Sequence, residues 1–180
     1  MSTFWTPLAF FTVITGVGEC VRAELAATAA GAPDRVCLSV PGAIAWDACD
    51  CGQLALTVNR IYGSQTFPVA ADGFANEQSC GLPLAVADVT ISMVRCVPGP
   101  DDQGNPPSCD ELLAAAQTWH ADVYAVRRGG ACCLRDMVAA NQVTEWTMAG
   151  TTAVGPEGLC AGSATQLFIG LDACMCPPGA

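Results

Sequence analysis

Between residues 52 and 62 the chain reads GQLALTVNRIY, with Leu54, Leu56 and Val58 on one side and Ala55, Thr57 and Asn59 on the other. That is the period-two pattern of a strand. Residues 84–97, LAVADVTISMVRCV, repeat it: Val89, Ile91 and Met93 oppose Asp88, Thr90 and Ser92. The two segments are expected to pair antiparallel. Ahead of them lies a shorter apolar run, RVCLSV, closed by Pro41 and Gly42, and between them residues 63–83, rich in Gly, Pro, Asp and Asn, form a long loop. Near the end of the chain TEWTMAGTTAV and SATQLFIGLDA predict two more strands, joined by the turn-rich GPEGLCAG.

Two other segments repeat at three and four. Leu8, Phe11, Ile14 or Thr15, Gly18 and Val21 mark one face of an N-terminal helix, with Pro7 suited to its first turn and Gly31 and Pro33 ending it. The apolar run from Phe4 to Val17 is too short to span a bilayer, and Glu19, Arg22 and Glu24 follow it at once. No basic residue precedes it, so a helix of a globular domain fits better than a secretory signal or a membrane anchor. Leu112, Leu113, Ala116, Trp119, Val123 and Val126 define a second helix, capped by Ser108 or Asp110. Gly129 and Gly130 are expected to kink or interrupt it before CCLRDMVAA resumes. The connection ahead of it, PGPDDQGNPPSCDEL, is long, polar and broken by proline, the kind of loop that a compact domain carries for a use.

The elements therefore run as helix (1–31), strands and long loop (34–97), central helix (109–140) and strand pair (144–173), within a single domain spanning 1–180. This is an α+β fold: an antiparallel sheet of about four strands flanked by the N-terminal and central helices. A chain of 180 residues, 52% hydrophobic and 13% charged, has ample material for one core.

Charge narrows the function classes. The formal net charge is -10, all seven basic residues are Arg, and Arg127 with Arg128 is the only adjacent pair. A nucleic-acid groove needs a denser basic surface, so sequence-specific binding to nucleic acid is disfavoured. The single histidine, His120, excludes any site built on two; it reads as a helix-surface or partly buried imidazole. There is no GxSxG elbow, no phosphate loop, no dinucleotide fingerprint and no Lys for covalent or phosphate chemistry. We therefore expect no catalytic residues, no cofactor and no metal ligands, and a protein that is not an enzyme.

Twelve cysteines remain to be explained. Zinc knuckles space their ligands as CxxC, whereas the pairs here are Cys49-x-Cys51, Cys132-Cys133 and Cys174-x-Cys176. A four-thiolate site assembled from two CxC pairs is the minority alternative. A thioredoxin-like centre wants CxxC opening a helix, which is absent. An even count, with Cys20, Cys37, Cys80, Cys96, Cys109 and Cys160 dispersed besides the pairs, agrees with structural disulfides, while for any one cysteine a buried thiol competes. The candidate bridging residues are Cys37, Cys49, Cys51, Cys80, Cys96, Cys109, Cys132, Cys133, Cys160, Cys174 and Cys176. Cys49 and Cys51 read as a junction at the lip of a strand, anchoring the preceding loop to a neighbour such as the helix bearing Cys132 and Cys133. Disulfides persist outside the reducing cytosol, and a virion protein, assembled in host cytoplasm and then released, reconciles them with the missing signal.

The segments DRVCLSVPGAIAWDACDCGQLALTVNRIYGSQTFPV, VADVTISMVRCVPGPDDQGNPPSC, ACCLRDM and VGPEGLCAGSATQLFIGL resemble a family of small structural proteins of actinobacterial siphophages, encoded among head and tail genes, that look like tail terminators. The resemblance covers most of the chain from residue 34 onward. It implies a homo-oligomeric ring, typically a hexamer, that caps the tail tube, ends its polymerisation and offers a docking face to the head. The implied partners are further copies of itself, the tail tube protein, a head-to-tail connector or stopper protein and the tape measure protein, with genomic DNA only in transit through an acidic lumen and no membrane. Loops 63–83 and 97–110 are the expected contact loops. Neighbouring alternatives are a head-completion ring of the neck or a minor tail protein; from a different class, a small thiol-redox or zinc-binding protein.

Overall fold

A computed structural model describes residues 9–39, 52–71, 84–157 and 159–172. Its elements are α1 (Ala9–Ala26), β1 (Arg35–Ser39), β2 (Gln53–Ser64), β3 (Leu84–Cys96), α2 (Cys109–Ala139), β4 (Glu145–Glu157) and β5 (Cys160–Asp172). The class is α+β. The strands form one sheet in the order β1-β2-β3-β5-β4. All neighbours are antiparallel except β1, which lies parallel to β2 with Arg35 opposite Gln53. The sheet is thus five-stranded and mixed, where about four antiparallel strands were expected; a five-residue apolar run carries no signal of pairing direction.

Alternation along β3 and β5 sets the layers. Val89, Ile91 and Met93, with Leu167 and Ile169 beside them and Leu54 and Leu56 on β2, join the buried faces of α1 and α2 in one apolar cluster. The opposite face carries Asp88, Thr90 and Ser92. β2 changes parity midway, because a bulge between Val58 and Arg60 inserts Asn59. Asn59 and Arg60 then both serve the second face, so the apolar alternation that ends at Val58 does not carry Arg60 into the core.

On α1 the buried residues are Phe10, Val13, Ile14, Val17, Gly18, Val21 and Leu25. Phe11, expected on that face, is 55% exposed, so the true stripe is rotated by about one residue; Leu8 and Pro7 lie outside the described residues. The larger correction concerns α2, which runs unbroken through Gly129 and Gly130. A Cβ at Gly129 would stand 2.8 Å from the Val21 Cα and 3.0 Å from the Cys20 carbonyl oxygen, and one at Gly130 would stand 2.7 Å from Met148 Cε. These glycines are the point where α2 presses its backbone onto α1 on one side and onto the sheet on the other. Packing recovers what helix propensity loses. Gly16 against Met137, Val21 against Gly129 and Glu24 against Arg128 show the two helices to be antiparallel. Among the described residues no helix is long and apolar enough to cross a membrane.

Candidate functional site

At the helix crossing, Cys133 is disulfide-bonded to Cys20, with Cα atoms 6.1 Å apart. The bridge is positioned by the same close approach, since Gly129 precedes Cys133 by one helical turn and Gly16 precedes Cys20 by one. Cys20 stood outside the candidate set; the matched Gly-x3-Cys spacing on both helices was the signal that could have found it. Of the two cysteines on the α2 segment to which Cys49 and Cys51 were expected to link, Cys133 is engaged by Cys20, while Cys49 and Cys51 lie outside the described residues. Cys160, buried in β5, is disulfide-bonded too. Cys37 and Cys132 are half-buried free thiols and Cys109 is an exposed one, so the adjacent cysteines of ACCLRDM do not share a fate. One residue further around a helix points a side chain about 100° away, and only Cys133 faces α1. Cys96 lies opposite Cys160 in the β3 and β5 register. Cys49, Cys51, Cys80, Cys174 and Cys176 lie outside the described residues.

The sheet's end nearest the α1–β1 connection holds a buried ion pair. Arg95 Nε donates to Asp122 Oδ2 at 2.6 Å and Nη2 to Oδ1 at 3.0 Å, while Nη2 also reaches the Gly31 carbonyl at 2.6 Å. With side chains only 16% and 5% exposed, this fork joins β3, α2 and the turn after α1. Trp119 Nε1 donates to the Gly162 carbonyl at 2.8 Å beside it, and a cavity of about 90 Å³ remains between them. Both carboxylate oxygens are engaged by one guanidinium, an arrangement that fixes elements rather than one that moves a proton.

The second face of the sheet centres on Asp88, also 5% exposed. Its carboxylate accepts from Asn59 Nδ2 at 3.0 Å, Arg60 Nε at 3.3 Å and Gln166 Nε2 at 3.0 Å, and Asn59 also donates to Thr90 Oγ1 at 2.9 Å. The β2 bulge makes this possible by presenting two successive residues to one acceptor. Arg60 lies over the Tyr62 ring, 4.6 Å from its centroid, and burial pushes the Tyr62 phenol up from its ordinary value. A charge so fully paired is held as architecture.

Exposed surface gathers elsewhere. Residues 100–106 are all exposed, yet Asp101 organises them: Oδ1 accepts from the backbone N–H groups of Gln103 at 2.9 Å and Asn105 at 2.8 Å, and Oδ2 from Asn105 Nδ2 at 2.8 Å. The Asn105 side chain first, and then the backbone donors, hold the Asp101 carboxyl below its ordinary value. A capping box follows, in which Ser108 Oγ accepts from the Glu111 N–H at 3.3 Å and the Glu111 carboxylate accepts from the Ser108 N–H at 2.8 Å. Ser108, and not Asp110, is the cap. His120 is exposed, edge-on to Trp119 at 5.0 Å. Further along α2 a groove against β4 is lined by Tyr124, Arg127, Arg128, Ala131, Trp146 and Met148. Among the described residues no three His, Cys, Asp or Glu side chains gather as a metal site would. Compared with known proteins, the chain matches no family model and no curated sequence.

Proposed function

We propose that this protein is a structural component of a phage virion, a tail terminator whose ring ends tube polymerisation and presents a docking face to the head and neck. The observation that carries the reading is the loop ahead of α2, exposed throughout 100–106 and yet fixed by the Asp101 turn and the Ser108 cap. Side chains on such a loop are pre-organised for a partner, which lowers the ordering cost of binding. The order of helices and strands and the sequence resemblance support the same assignment. In a ring, one axial face meets the last tube ring while the other meets the neck, and contacts that close by rotation cannot extend as a filament.

Acidity has a role in this reading. Asp101, Asp102, Asp110 and Glu111 crowd one exposed segment of a chain whose net charge is -10, and copies of such a surface around a channel would repel phosphates and let DNA pass without holding it. Electron microscopy of intact particles labelled with an antibody against this chain tests the proposal. Label at the head–tail junction is expected; label along the tube or at the tip, or none on particles, rejects it.

A further inference from the structure

We infer that the exposed stripe of α2 is a self-complementary interface that pairs two copies of this chain about a two-fold axis. Leu113 and Tyr124 are 58% and 66% exposed. Eleven residues are close to three whole turns, so the two share one side of the helix, about 16 Å apart. Laid antiparallel on a second α2 and centred between Gln117 and His120, the stripe sets Leu113 opposite Tyr124, and Asp110 opposite Arg127, each contact made twice. The groove between α2 and β4, with Trp146 and Met148 in its wall beside Tyr124, is the seat for the partner's Leu113.

Charge argues for a second copy as the occupant. Arg127 is fixed by β4, donating from Nη1 to the Ala149 carbonyl at 2.8 Å and to Thr151 Oγ1 at 3.3 Å, and it has no carboxylate partner among the described residues. Asp110, in the first turn of α2, has no cationic partner there either. The stripe thus carries an unpaired anion at one end and an unpaired cation at the other, the distribution an antiparallel copy neutralises. The contact is isologous, distinct from the heterologous contacts that close a ring, and it joins subunits or rings in pairs whether or not the tail assignment holds.

Light scattering on the eluting full-length protein, over a range of concentrations, tests the interface. The wild type is expected to run at twice the monomer mass. Asp110→Arg and Arg127→Asp each set like charges opposite one another in a homodimer and should weaken it by about tenfold or more. Mixed together, the two variants regain both opposite-charge pairs and should run as a dimer again. Leu113→Asp, at an exposed position, should give a folded monomer even if Arg127→Asp unsettles β4. A wild type monomeric at every concentration overturns the inference, as does a mass unchanged by Leu113→Asp. A six-membered ring whose mass is the same with and without that substitution would overturn the two-fold contact alone and leave the terminator reading standing.

Discussion

The two halves of α2 are built to different ends. From Asp122 to Leu134 the helix buries seven residues, accepts a disulfide and takes its backbone into contact with α1; from Cys109 to Ala121 it buries none, and Leu112 and Leu113 stand in solvent. Helix propensity does not separate them, since the half with two adjacent glycines is the one held fast. Tertiary contact decides where a helix serves the fold, and the outer half keeps only a lighter tie, the bond from Trp119 Nε1 to the Gly162 carbonyl among the described residues.

Cutting the strongest tie of the buried half should cost most. Asp122→Ala leaves Arg95 buried without its counter-charge and should lower stability by about 3–5 kcal/mol in chemical denaturation. Replacing both partners by apolar residues, as in Arg95→Met with Asp122→Leu, should cost far less, because no charge is then stranded. Next comes the covalent tie. The paired substitution Cys20→Ser and Cys133→Ser opens a link across 113 residues and should cost about 2–4 kcal/mol, read as a fall in melting temperature. Gly129→Ala sharpens the comparison further: in an exposed helix it would gain about 1 kcal/mol, yet here the methyl meets the α1 backbone and a net loss of about 1–2 kcal/mol is expected.

The outer half should respond least. Ser108→Ala removes the cap at a cost of about 1 kcal/mol, seen as faster amide exchange confined to the first turn. The Ser108 hydroxyl, and then its backbone N–H, hold the Glu111 carboxyl below its ordinary value. A carboxyl depressed in the folded state contributes above its unfolded pKa and loses that contribution as pH falls through the lowered one. Fraying of this turn should therefore begin only on acidification below the ordinary glutamate range, and Glu111→Gln should abolish that pH dependence.

How much of this was legible in the sequence follows from the range of the forces involved. β2 and β3 could be read, as 52–62 and 84–97, because apolar and polar residues alternate along them, and the Ser108 cap because its partners lie three residues apart. The parallel pairing of β1 could not, for a five-residue run has no periodicity that records its neighbour. Asp122 gave no sign of burial, since its counter-ion sits on another element. Gly129 and Gly130 misled in an instructive way: local propensity marks them as breaks, and only the opposing backbone of α1 explains them. Of the candidate cysteines among the described residues the structure pairs Cys133 with a partner outside the set, and engages Cys160, while Cys37, Cys109 and Cys132 carry no disulfide.

The Cys20–Cys133 bond also gives the molecule a topology beyond that of a linear chain. It closes a covalent circle that holds β1, β2, β3 and nearly all of α2, and leaves the β4–β5 hairpin outside. Yet β5 inserts between β3 and β4, so the sheet is completed only when this tail of the chain is laid against the circle. A single proteolytic cut in the exposed loop before α2 would linearise the circle without severing the molecule. The nicked protein would migrate as one band until a reductant separates it into two.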